Sequence, residues 1–394
     1  MRAVLFINDP QHAEQEAFAA RLLMKRISPG AQVECRPKSA SGRSGLDLPG
    51  LLFISSSQLD EIFAAVSLQR EVAGAHYDAC DLLVEHTLPW AVDVPWVDLL
   101  ARRVAAPKEP SNFQVIITHD IDRTTGWELT ALVKSCLRAV GVCSAWPSWS
   151  KAHPASAWLG NLERLLACEL QQGVGAYFFM LAGPYGLRRY SSRYDVRWPQ
   201  SRDMVKMIAG AGMTVGLHGS YYARELDSYA EERQRLEAVL GAPVTCHRNH
   251  YLRFDQRRVW SQLQAAGITH DFSVGFNHRI GFRSGCASAH QAYDLVRDRP
   301  AQVVSIPLLC MDGVLFHNDR SGTLQCLRAA LEDVRRVDGC VSLLFHPELF
   351  LVDPSHFAMF EEVVQLCHEL GADLSGRLPS TAVASPQRPG PGKE

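Results

Sequence analysis

Val115-Ile116-Ile117-Thr118-His119-Asp120-Ile121-Asp122 is the stretch on which the reading of this chain turns. Three β-branched residues predict a buried strand, and the polar residues after Ile117 predict that it ends there, so that the acidic pair emerges at its carboxyl end. Open and barrelled α/β folds carry their chemistry at that end. Two carboxylates two residues apart repel each other in a dry pocket unless a cation or an arginine neutralises them. One is therefore a candidate metal ligand and the other a candidate base.

Three further histidines lie downstream, at His218, His250 and His346. His218 follows Val215-Gly216-Leu217 and His346 follows Leu343-Leu344-Phe345, so both are expected at strand ends. Strand-like runs over 176–180, 214–217, 303–306 and 341–345 alternate with helical spacing over 224–240, 320–337 and 355–370, which predicts parallel strands in an α/β barrel or open sheet. Upstream, 3–7 and 51–54 read as strands and 13–27 as a helix, a small α/β domain. The proline-containing stretch 105–112 marks the junction. The expected organisation is a small N-terminal α/β domain, 1–108, a catalytic domain, 113–380, and a tail, 381–394, too rich in proline, glycine and polar residues to bury a core.

At 394 residues the chain exceeds one ordinary core, in keeping with two domains. A formal net charge of −2 provides no electrostatic footprint for nucleic acid or an anionic membrane. Eleven cysteines without a C-x-x-C pair predict a reduced compartment. The first apolar run is too short for a signal segment, and none reaches the length of a membrane span, so a cytoplasmic protein is expected.

Taken in order, Thr118-His119-Asp120-Ile121-Asp122, Gly216-Leu217-His218-Gly219-Ser220-Tyr221, Arg248-Asn249-His250-Tyr251-Leu252-Arg253-Phe254 and Leu344-Phe345-His346-Pro347 resemble the motifs of the polysaccharide deacetylase family, also called the NodB-homology or carbohydrate esterase 4 family. The resemblance spans roughly residues 113–378. It is nearest to a divergent bacterial branch that also carries a G-F-R-x-G stretch, here Gly281-Phe282-Arg283-Ser284-Gly285, behind an extra N-terminal domain. It implies a distorted (β/α) barrel and a divalent metal, zinc first with cobalt, manganese or nickel as alternatives, held by one Asp and two His. It further implies Asp120 as general base, Asp122 as metal ligand with His218, Arg248 as the holder of the base, His346 as general acid and Asp312 as the group orienting it.

This chain departs from the family pattern twice. Ile121 separates two aspartates that are usually adjacent, which leaves the roles of Asp120 and Asp122 exchangeable. Four positions after His218, where the family's second motif has histidine, stands Tyr222. The third ligand must come from elsewhere; His250 is the first choice, with His119 or His247 behind it. Tyr221, Tyr251, Arg253 and Arg283 are candidate substrate contacts, although each arginine is as readily a partner for a carboxylate such as Asp255 or Asp294. The implied activity is removal of an acetyl group, N-acetyl ahead of O-acetyl, from a carbohydrate that is a precursor of an exported or capsular polysaccharide. Hydrolysis of another C–N bond, such as a cyclic amide, and a catalytically silent carbohydrate-binding or assembly role are the alternatives.

Overall fold

The computed structural model describes residues 2–7, 13–27, 32–37, 56–69, 76–77, 83–84, 92–104, 113–124, 155–186, 190–317 and 320–379. The expected strand at 51–54, the junction at 105–112 and the tail at 381–394 lie outside them. The strands, in chain order, are β1 (Arg2–Ile7), β2 (Gln32–Pro37), β3 (His76–Tyr77), β4 (Leu83–Val84), β5 (Gln114–Ile121), β6 (Tyr177–Leu181), β7 (Thr214–Gly219), β8 (Cys246–Asn249), β9 (His270–Asp271), β10 (His290–Asp294), β11 (Arg299–Ser305), β12 (Leu308–Met311) and β13 (Cys340–Phe345). The helices are α1 (Ala13–Ile27), α2 (Ser56–Val66), α3 (Trp96–Val104), α4 (Ala155–Gln171), α5 (Pro199–Gly210), α6 (Ala223–Leu226), α7 (Tyr229–Leu240), α8 (Val259–Ala265), α9 (Asp312–His317), α10 (Arg320–Arg336), α11 (Pro347–Val352) and α12 (Pro354–Glu369).

Nine strands form one sheet in the order β10-β11-β9-β8-β7-β6-β5-β13-β12, parallel throughout except at the β10–β11 hairpin. Successive strands from β5 to β9 lie side by side, as the winding of a (β/α) barrel requires. The sheet is curled. In a flat sheet β5 and β8 would stand about 14 Å apart, three inter-strand spacings, yet Arg248 on β8 reaches Asp120 on β5 at 3.0 Å.

Strand parity sorts the side chains between two faces. Ile116, Phe179, Cys246, Phe272 and Val304 pack together inside the curl, while Val115, Ile117, Phe178, Met180, Leu217 and Leu343 join the larger core beneath the helices. Counting on in steps of two from Ile116 puts Thr118, Asp120 and Asp122 on the inner face.

β5 does not stop at Ile117 as its sequence suggested; it runs on through Ile121. The polar residues stay in the strand because each has a partner: Thr118 donates to the carbonyl of Leu343 at 2.7 Å, His119 meets Glu169 at 2.6 Å, and Asp120 receives Arg248. The helical pattern over 224–240 is also interrupted. It forms two helices around Asp227, whose φ of 52° is left-handed.

The leading helices pack on the β10–β11 edge. Phe18, Phe63 and Val97 share a core with Cys286 and Tyr293, and the Tyr293 ring lies 4.8 Å from both Phe18 and Phe63. The G-F-R-x-G stretch makes the joint. Phe282 N donates to the carbonyl of Val92 at 2.6 Å and Val97 N to that of Gly285 at 3.1 Å. A Cβ on Gly281 would come within 2.8 Å of Val92 O, and one on Gly285 within 2.4 Å of the Trp96 indole. Glycine is needed at both positions for the chains to approach, and at Gly285 also for a φ of +66°. Beside the joint, Arg26 forms an ion pair with Asp98, which also accepts from Ala287 N at 2.6 Å.

Candidate metal and catalytic site

Asp122, His218 and His250 come together at the carboxyl ends of β5, β7 and β8, their ligand atoms all within 4.8 Å of one another. Asp122 Oδ1 lies 3.3 Å from His218 Nε2 and 3.4 Å from His250 Nε2. His218 Nδ1 faces the carbonyl of Arg248 at 3.0 Å, which fixes the proton on that nitrogen and directs the Nε2 lone pair inward. His218 Nε2 and Asp122 Oδ1 are buried and have no hydrogen-bond partner among the described residues. Nitrogen and oxygen ligands held tetrahedrally at about 2.0–2.2 Å from one ion stand about 3.3–3.6 Å apart. The donor set and its spacing fit a divalent metal.

The protonation preferences agree. Burial pushes the Asp122 carboxyl up, but the imidazoles of His250 and His218 outweigh it and hold it well below the usual range. Burial likewise opposes charge on His218, and Asp120 with Asp122 reverses it, raising the imidazole. Such a cluster holds positive charge between a carboxylate and two imidazoles, and a cation can supply that charge instead of a proton.

Asp120 stands beside this group, its Oδ2 3.5 Å from His218 Nε2. Arg248, 0% exposed, donates through Nη1 to Asp120 Oδ1 and to Thr118 Oγ1, and through Nε to the carbonyl of Phe272. Its guanidinium lies over the Phe179 ring, 4.7 Å from the centroid. Asp120 is thus held on one oxygen, while Asp122 sits with the imidazoles. Both aspartates face the same side, two residues apart along β5 and its end.

Opposite them, His346 caps α11. Its Nδ1 meets Asp312 Oδ1 at 2.9 Å and its backbone N–H donates to Asp312 Oδ2 at 2.5 Å. Nε2 is left pointing inward, 3.9 Å from Asp122 Oδ2. Burial disfavours the imidazolium, but Asp312 overcomes it and raises His346 well above its ordinary value.

His119 and His247 are turned away. His119 points to the helix layer, against Glu169 and the Phe178 ring, and His247 pairs with Asp271 at 2.8 Å on the outer face.

The turn carrying His250 is strained, with Tyr251 at φ 59° and Leu252 at φ 53°. Leu252 is held in a small cluster with Leu308 and Leu344. Arg253 donates to the carbonyl of Tyr221 at 2.8 Å, pairs with Glu225 at 2.6 Å, and lies over the Tyr221 ring. The carboxylate it meets is therefore Glu225, not Asp255. Arg283 donates to the carbonyl of Gly275, and Asp294 pairs with Arg297. Tyr251, 42% exposed, forms an aromatic wall with Tyr190 and Tyr221, which stack at 4.3 Å.

Three supporting residues escaped the sequence reading. Tyr194 accepts from Leu181 N and donates to Ile121 O, pinning the ends of β5 and β6. Glu232 accepts from the backbone and hydroxyl of Ser220, fixing the loop after His218. Glu348, on α11, is pushed up to about 8 by burial and by the negative charge of Asp122. None stands in a motif, and only the fold brings them to the site.

No family model and no curated protein matches the chain. Solved structures with some likeness include a protein from Mycobacterium smegmatis described as a polysaccharide deacetylase, 17% identical, covering 68% of this chain and 87% of that one with a TM-score of 0.44. A polysaccharide deacetylase from Bacillus cereus is 10% identical, with coverages of 68% and 93% and a TM-score of 0.38. A pseudoenzyme of carbohydrate esterase family 4 from Bacillus anthracis is 14% identical, with coverages of 68% and 67% and a TM-score of 0.35. These likenesses are distant, and the reading of this chain rests on its own side chains.

Proposed function

We propose that the protein is a metal-dependent hydrolase that removes an acetyl group, N-acetyl ahead of O-acetyl, from a carbohydrate. The observation that carries this is the convergence of Asp122, His218 and His250, with His218 Nε2 and Asp122 Oδ1 buried and without a hydrogen bond among the described residues, between an arginine-held carboxylate and an aspartate-backed imidazole.

Asp122, His218 and His250 would hold the ion. A divalent metal, zinc first with cobalt, manganese or nickel as alternatives, supplies Lewis acidity there, polarising an acyl carbonyl and acidifying water. Asp120 accepts the proton of the attacking water through Oδ2, because Arg248 occupies Oδ1 and keeps the carboxylate in place. His346 donates its Nε2 proton to the departing amine, and Asp312 keeps that imidazole charged and oriented. The aromatic wall of Tyr190, Tyr221 and Tyr251 offers ring faces to a sugar. The substrate we infer is an acetylated sugar in a precursor of an exported polysaccharide, handled by a catalytic unit, 113–380, with 1–108 as a separate unit of unknown role.

The test is metal content and acetate release together. The purified protein is expected to bind close to one divalent ion per chain, to lose it in Asp122→Ala and His218→Ala, and to release acetate from N-acetylated oligosaccharides. A chain that stays metal-free after incubation with zinc, cobalt, manganese and nickel would refute the proposal. One that binds metal and cleaves cyclic amides, not acetylated sugars, would transfer it to the other C–N bond class.

A further inference from the structure

His250 is held differently from the other histidine of the metal group. His218 has its outer nitrogen on the carbonyl of Arg248, the usual way in which a ligand imidazole is fixed. His250 Nδ1 is buried and has no hydrogen-bond partner among the described residues. Its ring lies 4.4 Å from that of Tyr251 and 5.0 Å from that of His218, and neither contact sets a direction as a hydrogen bond does. What aims Nε2 at Asp122, 3.4 Å away, must therefore act through the backbone.

Tyr251 (φ 59°, ψ 16°) and Leu252 (φ 53°) are consecutive residues in the left-handed region, which L side chains avoid because Cβ crowds the carbonyl. Two such residues in a row persist only where the surroundings impose them. The turn is fixed at both ends. Asn249, the last residue of β8, donates from its N–H to Ser273 Oγ at 2.9 Å and accepts from the Tyr229 hydroxyl at 2.7 Å, and Arg253 is tied to Tyr221 and Glu225. Between them Tyr251 is 42% exposed and Leu252 is 7% exposed, so the buried apolar grip of the turn is Leu252. It packs with Leu308 of β12 and Leu344 of β13, and Met311 lies against the same cluster. In the sheet order β13 is four strands from β8. Leu252 thus reaches across the curl to the strands that lead into Asp312 and His346.

We propose that Leu252 is a positioning residue of the metal site: its side chain, seated with Leu308 and Leu344, holds the left-handed turn that presents His250 to the ion. This rests on the metal-binding part of the deacetylase reading. Leu252 has no donor atom of its own and acts through His250. Its grip does for His250 what the Arg248 carbonyl does for His218. When the seat is emptied, the turn relaxes toward ordinary φ values and carries the imidazole off the position at which the three donors converge.

Leu252→Ala empties the seat, while Leu252→Met refills most of it with an unbranched side chain of similar volume. Zinc affinity of the full chain, or that for cobalt, manganese or nickel where the wild type binds one of these instead, would be measured by competition with a chelator. The proteins compared are the wild type, both Leu252 variants, His250→Ala and the chain carrying Leu252→Ala and His250→Ala together, with folding checked by circular dichroism. Leu252→Ala is expected to weaken metal binding about 10- to 100-fold, and Leu252→Met to recover most of the loss. In the His250→Ala background the Leu252 substitution should cause no further loss, since the ligand through which it acts is gone. Leu331→Ala, a truncation in the buried core on α10, should leave the affinity unchanged although it too lowers stability. If Leu252→Ala does not fold, Leu308→Ala, which empties the seat from β12, carries the same expectation. Wild-type affinity in Leu252→Ala, an equal loss with and without His250, or an equal loss in Leu331→Ala would each overturn the inference and leave the metal site standing. A wild type that binds none of the four metals would overturn both.

Discussion

Asp120 and Asp122 are separated by one residue and by their neighbours. Asp120→Asn is expected to keep the metal and lose about 10²- to 10⁴-fold in turnover, since the amide cannot take the proton of water. Metal analysis beside kcat measures this, and loss of metal in that variant would exchange the two roles. His250→Ala should lower metal affinity far more than His247→Ala, because His247 is committed to Asp271; equilibrium dialysis reads the difference. Asp312→Asn removes the charge that raises His346, so the imidazolium deprotonates at lower pH. Activity that needs the protonated acid is lost as pH rises through its pKa. The alkaline limb of the kcat/KM profile should therefore move to lower pH in Asp312→Asn. Much of this site was legible in the sequence, because acids and imidazoles at strand ends have few other uses. Parity could have said more: two-residue steps from Ile116 put Asp120 and Asp122 inside and His119 outside, and the same count on β8 sends His247 out. Glu348, Tyr194 and Glu232 could not be read, since nothing in a linear pattern announces a partner that folding supplies.

At the scale of elements, the site depends on how closely β6, β7 and β8 lie. A Cβ on Gly216 of β7 would meet the Phe179 ring at 2.6 Å, and that ring covers the guanidinium of Arg248. Gly216→Ala is expected to cost about 1–3 kcal/mol of stability and to lower kcat by disturbing the arginine that holds Asp120. Chemical denaturation and steady-state kinetics would read the two effects. The helix at 13–27 and the strand at 341–345 were legible to within a residue, because the first is a run of helical spacing and the second a short, wholly buried run. β5 was read short, because polarity was taken as its end, and its polar residues have partners on other elements. The break at Asp227 was hidden in a stretch whose helical spacing continues across it.

The whole molecule is joined across the sheet edge by a small charged cluster. Asp98→Ala would leave Arg26 as a buried, unpaired cation and is expected to destabilise the protein by about 3–5 kcal/mol, measurable as a lowered denaturant midpoint. His290 lies in the same cluster and is pushed down to about 4, first by burial and then by Arg26. Because its folded value lies below the unfolded one, near 6.5, its contribution is present above that pH. It is lost progressively as pH falls toward 4, by a total of about 3 kcal/mol. His290→Gln should flatten that part of the curve of stability against pH. No helix among the described residues is long and apolar enough to cross a membrane.

The glycines at 281 and 285 have a consequence for ancestry. Their constraint comes from Val92 and Trp96, neither of which is among the reacting groups, so selection on turnover would not by itself preserve them. A cousin that kept the aspartates and histidines but shed the leading helices would be free to replace both glycines, whereas one that kept the helices and lost catalysis would still need them. In such a comparison the G-F-R-x-G stretch would follow what the chain stays attached to, and the histidines would follow the chemistry.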